Sequence, residues 1–351
     1  MRVLFFGLGG IGQRHLRTLR KLVPHDQLEV HAFRTLGRGE KLRDDLTVEA
    51  DRDIVNDYNI VVHTQVQDAF LVKPEVVFIC NPSSLHAPIA LQAAKAGAHL
   101  FIEKPVSHSL DTLDELYAVV RAKQLVCYIG YNFRFHPALI RLKELVDEGY
   151  FGNILSVQSE IGEYLPNWHR YEDYRTMYAA RADLGGGVIL SQIHEMDLIY
   201  WYFGLPKSIY SLGGKLSHLE IDVEDTATSL MQYSGDKGDF PISLHQDYLQ
   251  RPPVRCFKII GDQGIADLDL IGHQMKVFST DGSLQEQWDG SDFKRNDMFE
   301  GQMRHFLDCV AGRSSPKVNL WDGIQSLRLA LAAKESMASK AIVSIVDQVE
   351  S

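Results

Sequence analysis

Apolar residues in the first third of the chain come in short unbroken runs, each followed by a stretch with helical spacing. "RVLFFG" (2–7) precedes "IGQRHLRTLRKL", and "LEVHAF" (28–33) precedes a charged stretch at 38–46 that reads as helix. "IVVH" (60–63) is a weaker strand. "PEVVFIC" (74–80) leads into "HAPIALQAAKAG", "HLFIE" (99–103) into "SLDTLDELYAVVRAK", and "LVCYIGY" (125–131) closes the series. Continuous β-branched runs belong to strands buried on both faces, so the pattern predicts a parallel sheet covered by helices. This α/β unit spans 1–130.

Beyond residue 150 the rhythm changes. "GNILSVQSEIG" alternates, and "GGGVILSQIHEMDLIYWYFG" reads as one helix behind a glycine turn. Runs at 206–213, 226–233, 241–248, 254–260, 264–270 and 274–279 follow, joined by short loops, and helical stretches at 296–311 and 322–339 end the chain. Strands at that spacing predict a second, α+β unit over 131–351 with a large, mainly antiparallel open sheet. Its last helix is expected to pack back on the first unit.

Composition narrows the classes. Of 351 residues 45% are hydrophobic and 23% charged, and the net charge is −10 with no Lys/Arg-rich block, which argues against a nucleic-acid partner. No run approaches the ~18 apolar residues of a membrane span, and the first ten residues do not read as a signal peptide. The four cysteines are far apart and three lie in apolar runs, as core thiols do. A cytoplasmic location is expected, and no metal site.

"GLGGIG" places Gly7, Leu8, Gly9, Gly10, Ile11 and Gly12 between a strand and a helix. Glycines there allow a tight turn and close approach to a pyrophosphate, and the helix N-terminus supplies N–H donors. Methyl-donor folds use similar turns; the strand at the chain's start favours a dinucleotide. NAD enzymes usually carry an acid about 20 residues on, holding the ribose 2′-OH. Here the second strand ends "HAFRTLGR", with Arg34 22 residues after Gly12 and Thr35 beside it. A guanidinium suits a 2′-phosphate, so NADP(H) is favoured over NAD(H).

"FIEKPVS" (101–107) brings Glu103, Lys104 and Pro105 to a strand's carboxyl end, where parallel sheets bind ligands. A lysine there could stabilise negative charge on a substrate oxygen. Together with "CNPSSLHAPIALQAAKAGAHLFIEKP", "GYNFRFHP" and "GGGVILSQIHEMDLIYWYFG", the chain resembles the Gfo/Idh/MocA family of NAD(P)-dependent sugar and cyclitol oxidoreductases. The resemblance implies a Rossmann dinucleotide domain. It makes Lys104 a contact to substrate and nicotinamide, places Asn81, Pro82, Leu85, His86 and Glu103 along the cofactor, and makes His194 the group that handles the hydroxyl proton.

Many relatives have an Asp three or four residues before that histidine; this chain has Ser191 and Leu190 there. Ser191, His194, Asp197 and Trp201 share one helical face, so Asp197 either orients the imidazole or lies on the surface. The resemblance also brings Asn132 and Arg134 of "GYNFRFHP" to the cleft as cofactor and substrate candidates. Trp168 and His169, in the aromatic stretch "EYLPNWHRYEDYR", suit a sugar-type small-molecule substrate. A homodimer or homotetramer through the second sheet is expected. A non-catalytic, cofactor-sensing sugar binder is the alternative function, though it does not require Lys104 and His194.

Overall fold

The computed structural model describes residues 1–34, 39–169 and 171–346. The first unit contains strands β1 (Arg2–Phe6), β2 (Glu29–Phe33), β3 (Glu40–Leu42), β4 (Val48–Asp53), β5 (Val61–His63), β6 (Val76–Ile79), β7 (His99–Ile102) and β8 (Cys127–Ile129). Among them run helices α1 (Gly10–Leu22), α2 (Ile54–Asp57), α3 (Val66–Leu71), α4 (His86–Lys95) and α5 (Leu113–Ala122). Six strands pair in parallel in the order β5-β2-β1-β6-β7-β8. With the β3–β4 hairpin set aside this is the doubly wound order 3-2-1-4-5-6, whose direction reverses between β1 and β6. The apolar runs form its centre: Val3, Leu4, Phe5, Val76, Val77, Phe78, Leu100 and Phe101 are fully buried.

Residues 38–46 correct the sequence reading. Where described they are not helical: β3 and β4 form an antiparallel hairpin. Asp45 caps the turn, its carboxylate accepting from the Thr47 backbone N–H and hydroxyl, and Leu46 takes φ 66°. Such an Asx turn competes with helix for the same charged residues. Helix α1 then catches the hairpin backbone: Gln13 Nε2 donates to the Glu40 carbonyl (2.9 Å), Arg17 to that of Leu42 (2.7 Å) and Arg14 to that of Asp44 (2.6 Å).

The second unit adds α6 (Pro137–Asp147), α7 (Val188–Ser191), α8 (His194–Phe203), α9 (Arg295–Val310) and α10 (Leu320–Ser339). Its strands are β9 (Ile154–Gly162), β10 (Ser208–Gly214), β11 (Thr226–Gly235), β12 (Gly238–Asp247), β13 (Val254–Gly261), β14 (Gly264–Asp269), β15 (Gln274–Ser279), β16 (Leu284–Asp289) and β17 (Val343–Ser344). They form one nine-stranded sheet, β16-β15-β14-β13-β9-β12-β11-β10-β17, antiparallel except where β9 meets β12. The stretch after "GGG" is two helices, broken at Gln192 (φ −98°, ψ 32°), so the helical face drawn through Ser191 does not run on into α8. Helix α10 bridges the layers, with Gly323 against Ile129 and Val106 of the first unit. Among the described residues no helix is long and apolar enough to cross a membrane.

Candidate active site

The chain leaves β1 through Gly7 at φ 94°, where a Cβ would lie 2.7 Å from the Cys80 carbonyl and the Asn81 nitrogen. A Cβ on Gly12 would lie 2.2 Å from the Gly7 oxygen, so neither position tolerates a side chain. These contacts let the loops after β1 and β6 diverge at the switch point and open a crevice. No side chain caps α1 at Gly9, which leaves its first N–H groups and positive dipole end for an anion.

A cavity of about 1230 Å³ extends from this crevice into the second unit. It exceeds the roughly 300–1,000 Å³ of a site for one drug-sized ligand. Gly7 to Ile11, Arg34, Asn81, Pro82 and Leu85 line one end; Lys104, Asn132, Trp168, His169, Ser191 and His194 line the other. Arg34 makes no side-chain hydrogen bond or ion pair among the described residues, while Thr35 lies outside them. Asn81 Oδ1 and Trp168 Nε1 are buried with no partner in the described protein. The glycine cradle, uncapped helix and orphaned polar atoms fit a nicotinamide dinucleotide.

The Glu-Lys-Pro turn divides its work. Glu103 Oε1 lies 2.6 Å from His15 Nε2 of α1, and Oε2 accepts from the Lys104 N–H (3.2 Å). Glu103 is 7% exposed and fills the space beside Gly130, so it braces the turn against α1 rather than offering a free carboxylate to a ligand. Lys104 reaches the other way, donating from Nζ to the Ser191 carbonyl at the end of α7 (2.7 Å). Two ammonium protons remain for other acceptors. The Lys104–Pro105 peptide is cis. His86 also lines the cavity, and its Nδ1 and Nε2 each lie 2.7 Å from backbone carbonyls, of Pro105 and Asn81. Burial lowers its pKa, so the neutral ring has one N–H and donates to one of these carbonyls, which ties it to the turn or to the loop after β6.

His194 opens α8 directly behind Ser191. Its ring meets Phe133 edge-on (4.9 Å between centroids) and Tyr131 (5.7 Å), and Nδ1 is buried without a partner. Burial, reinforced by Lys104, Arg255 and Arg295, pushes its pKa well below the usual histidine value, so the ring is neutral and has a nitrogen lone pair open to a proton. Asp197 does not orient this imidazole and is not on the surface. It is 1% exposed and holds Arg134 in a two-point ion pair (3.0 and 2.7 Å). Arg134 also donates to the Lys317 carbonyl (3.3 Å) and lies 3.6 Å from Asp322. Arg134 is therefore a buried strut, and the structure does not bring it into the cavity as a substrate ligand.

Five cavity arginines escape sequence reasoning: Arg181, Arg251, Arg14, Arg255 and Arg295. Arg14, in α1, lies over the Phe299 ring of α9 (4.7 Å) and donates to Asn296 (3.2 Å). Arg255, on β13, lies flat on Phe133 (3.8 Å) and pairs with the buried Glu195 (2.6 Å). Arg295 is the first residue of α9. No local motif marks these last three, which reach the cavity from α1, β13 and α9. Tyr171, from the stretch holding Trp168, closes over the phosphate turn, with its hydroxyl 3.0 Å from where a Gly10 Cβ would stand. Among the described residues no group of three or more His, Cys, Asp or Glu could hold a metal ion.

Residues 1–131 match the family model described as "Oxidoreductase family, NAD-binding Rossmann fold", and 139–267 match the "GFO/IDH/MocA C-terminal domain". A myo-inositol 2-dehydrogenase of Thermotoga maritima is 25% identical over 98% of both chains. An NAD(+)-dependent scyllo-inositol 2-dehydrogenase of Bacillus subtilis is 24% identical over 96% of this chain and 94% of its own. A solved levoglucosan dehydrogenase, in complex with NADH, superposes with TM-score 0.82 over 99% of this chain and 100% of the other, at 17% identity.

Proposed function

The chain belongs to the Gfo/Idh/MocA family of oxidoreductases, and from that premise we propose that it transfers a hydride reversibly between NADP(H) and a hydroxyl-bearing carbon of a sugar-type substrate. The reading rests on one convergence: Lys104 and His194, from different layers, line the same cavity, and Lys104 donates to the carbonyl of Ser191, three residues before His194. The bound dinucleotide would supply the hydride acceptor or donor. In the oxidation direction neutral His194 takes the hydroxyl proton as the C–H bond yields its electron pair and the carbonyl forms. Lys104 keeps one donor on the Ser191 carbonyl, which aims its remaining protons at the substrate oxygen, where negative charge develops. Ser191 stands where many relatives carry a carboxylate, so its part here is to present that carbonyl.

Arg34 supports the preference for NADP(H): its side chain lines the adenosine end with its fork uncommitted among the described residues. The named relatives act on cyclitols and an anhydrosugar, which supports a polyhydroxylated substrate. The test is NADP+ and NAD+ reduction at 340 nm against hexoses, cyclitols, sugar acids, sugar phosphates and nucleotide sugars. Turnover of at least one class supports the reading. Tight cofactor binding with no turnover across the panel would overturn it in favour of a sensor.

A further inference from the structure

The reacting end of the cavity is strongly and unevenly cationic. Lys104, Arg255 and Arg295 all line it together with His194. Two of these cations have protein partners: Lys104 the Ser191 carbonyl, and Arg255 the Glu195 carboxylate. Arg295 has neither a hydrogen bond nor an ion pair among the described residues. It is exposed and lines the cavity beside Arg255 and Glu163. A guanidinium on a cavity wall with its planar fork unused among the described residues is a ready site for an oxyanion.

Catalysis makes the imbalance sharper. Proton transfer to His194 would create an imidazolium facing Lys104, Arg255 and Arg295, with no carboxylate contributing to the field at that ring. One turn before His194 the chain carries Ser191, which brings no charge to the ring. Glu195 offsets Arg255, and Glu163 acts on Arg295 through space without an ion pair to it, so an anion on the ligand would add the charge that Arg295 still lacks. Glu163, also on the cavity wall, is free to accept hydrogen bonds from sugar hydroxyls.

We propose that the substrate is a carbohydrate bearing an anionic group, carboxylate or phosphate, near the carbinol to be oxidised, and that Arg295 binds that group. The proposal rests on the hydride-transfer reading above and adds the substrate's chemical class. It assigns the anion to the substrate rather than to the dinucleotide, whose diphosphate belongs at the glycine turn.

The test compares D-glucuronate, D-galacturonate and glucose 6-phosphate with D-glucose and myo-inositol, in wild type, Arg295→Gln and Arg295→Lys. At least one anionic compound should exceed the neutral ones in kcat/KM by about 30-fold, and the acid and phosphate arms identify which anion is used. Arg295→Gln should lower kcat/KM for the anionic substrate by about 10- to 100-fold, the worth of a charged hydrogen bond. Neutral sugars should lose clearly less than the anionic substrate, read well above pH 6.5 where His194 is neutral with or without the Arg295 charge beside it, and Arg295→Lys should restore part of the loss. NADPH affinity, read by fluorescence without substrate, should stay within about 3-fold of wild type. Equal losses for both substrate classes, a preference for neutral sugars, or a fall confined to NADPH affinity would overturn the proposal while leaving the oxidoreductase reading intact. If nothing in the panel turns over, that reading fails separately. Calorimetry with D-glucuronate and inorganic phosphate on the NADP+-loaded protein then decides: binding lost in Arg295→Gln supports the anion site, and no binding in wild type refutes it.

Discussion

Replacing Asp197 by alanine isolates the largest correction the structure makes, the move of Arg134 from substrate ligand to buried strut. The Asp197 carboxylate accepts from Arg134 Nε and Nη2 and from the Ser326 hydroxyl (3.0 Å), and both ion-pair partners are almost wholly buried, at 4% and 1% side-chain exposure. Breaking a buried pair from one side leaves an uncompensated charge, costing about 3–5 kcal/mol. Here Asp322 at 3.6 Å and the Lys317 carbonyl remain beside the guanidinium, and Ser326 keeps the Asp322 carbonyl as an acceptor. The loss should therefore fall near the lower bound, about 3 kcal/mol. At an m-value near 3 kcal/mol per M, the urea midpoint should drop by about 1 M. Trp201, whose ring lies 5.6 Å from the guanidinium carbon, gives a local fluorescence probe. Arg134→Met/Asp197→Leu should be far less destabilised than the sum of its single variants, because both buried partners go together and the Asp322 carboxylate keeps the Asn319 N–H. A stability change below about 1 kcal/mol, accompanied by a raised KM for substrate, would refute the strut and return Arg134 to the ligand set.

Lys104→Ala and His194→Ala should each lower kcat by about 100-fold or more, with NADPH affinity nearly unchanged in His194→Ala; near-normal kcat in both would show the Glu-Lys-Pro turn to be purely structural. Because burial and three cations hold His194 down, the acid limb of kcat/KM for oxidation should lie below pH 6.5, and a limb at pH 7 or above would contradict the neutral-base assignment. Arg34→Asp should reverse a preference for NADP(H) over NAD(H), measured as dissociation constants by fluorescence titration; equal affinities of the unmodified protein for both cofactors would sink that assignment. Leu155, Leu212 and Leu230 stand 52–55% exposed on strands of the nine-stranded sheet, and light scattering at micromolar concentration should report a dimer or tetramer through it, a monomer alone being the contrary result.

What was legible in the sequence was local. A strand, a glycine turn and a helix declare themselves within about a dozen residues; Gly12 is required by its close approach to Gly7, while the crowding at Gly7 comes from distant Cys80 and Asn81. The buried runs at 74–80 and 99–103 likewise carry their own period. Residues 38–46 misled because their charges suit a helix surface as well as a hairpin, and the decision falls to Asp45 and to distant Gln13, Arg14 and Arg17. Arg134 and Asp197 lie 63 positions apart, and nothing local says they will meet. His86 illustrates a subtler limit: the sequence brings it to the cavity's edge, but only the fold shows both nitrogens packed 2.7 Å from backbone carbonyls.

The order of "FIEKPVS" follows from this geometry. Consecutive side chains leaving a strand point to opposite sides, and here each side leads to a different body. Glu103 turns back to His15, one turn along α1 from the glycine loop, while Lys104 turns forward to the Ser191 carbonyl in the second unit. The acid thus fixes the turn to the helix whose N-terminus forms the phosphate cradle, and the base crosses to the helix break that presents His194. A carboxylate in the second position would face the carbonyl end of α7 without a donor, and a lysine in the first would leave His15 without its acceptor. Each residue type is required by the partner it meets, which is why a strand that could end in any polar pair ends in this one.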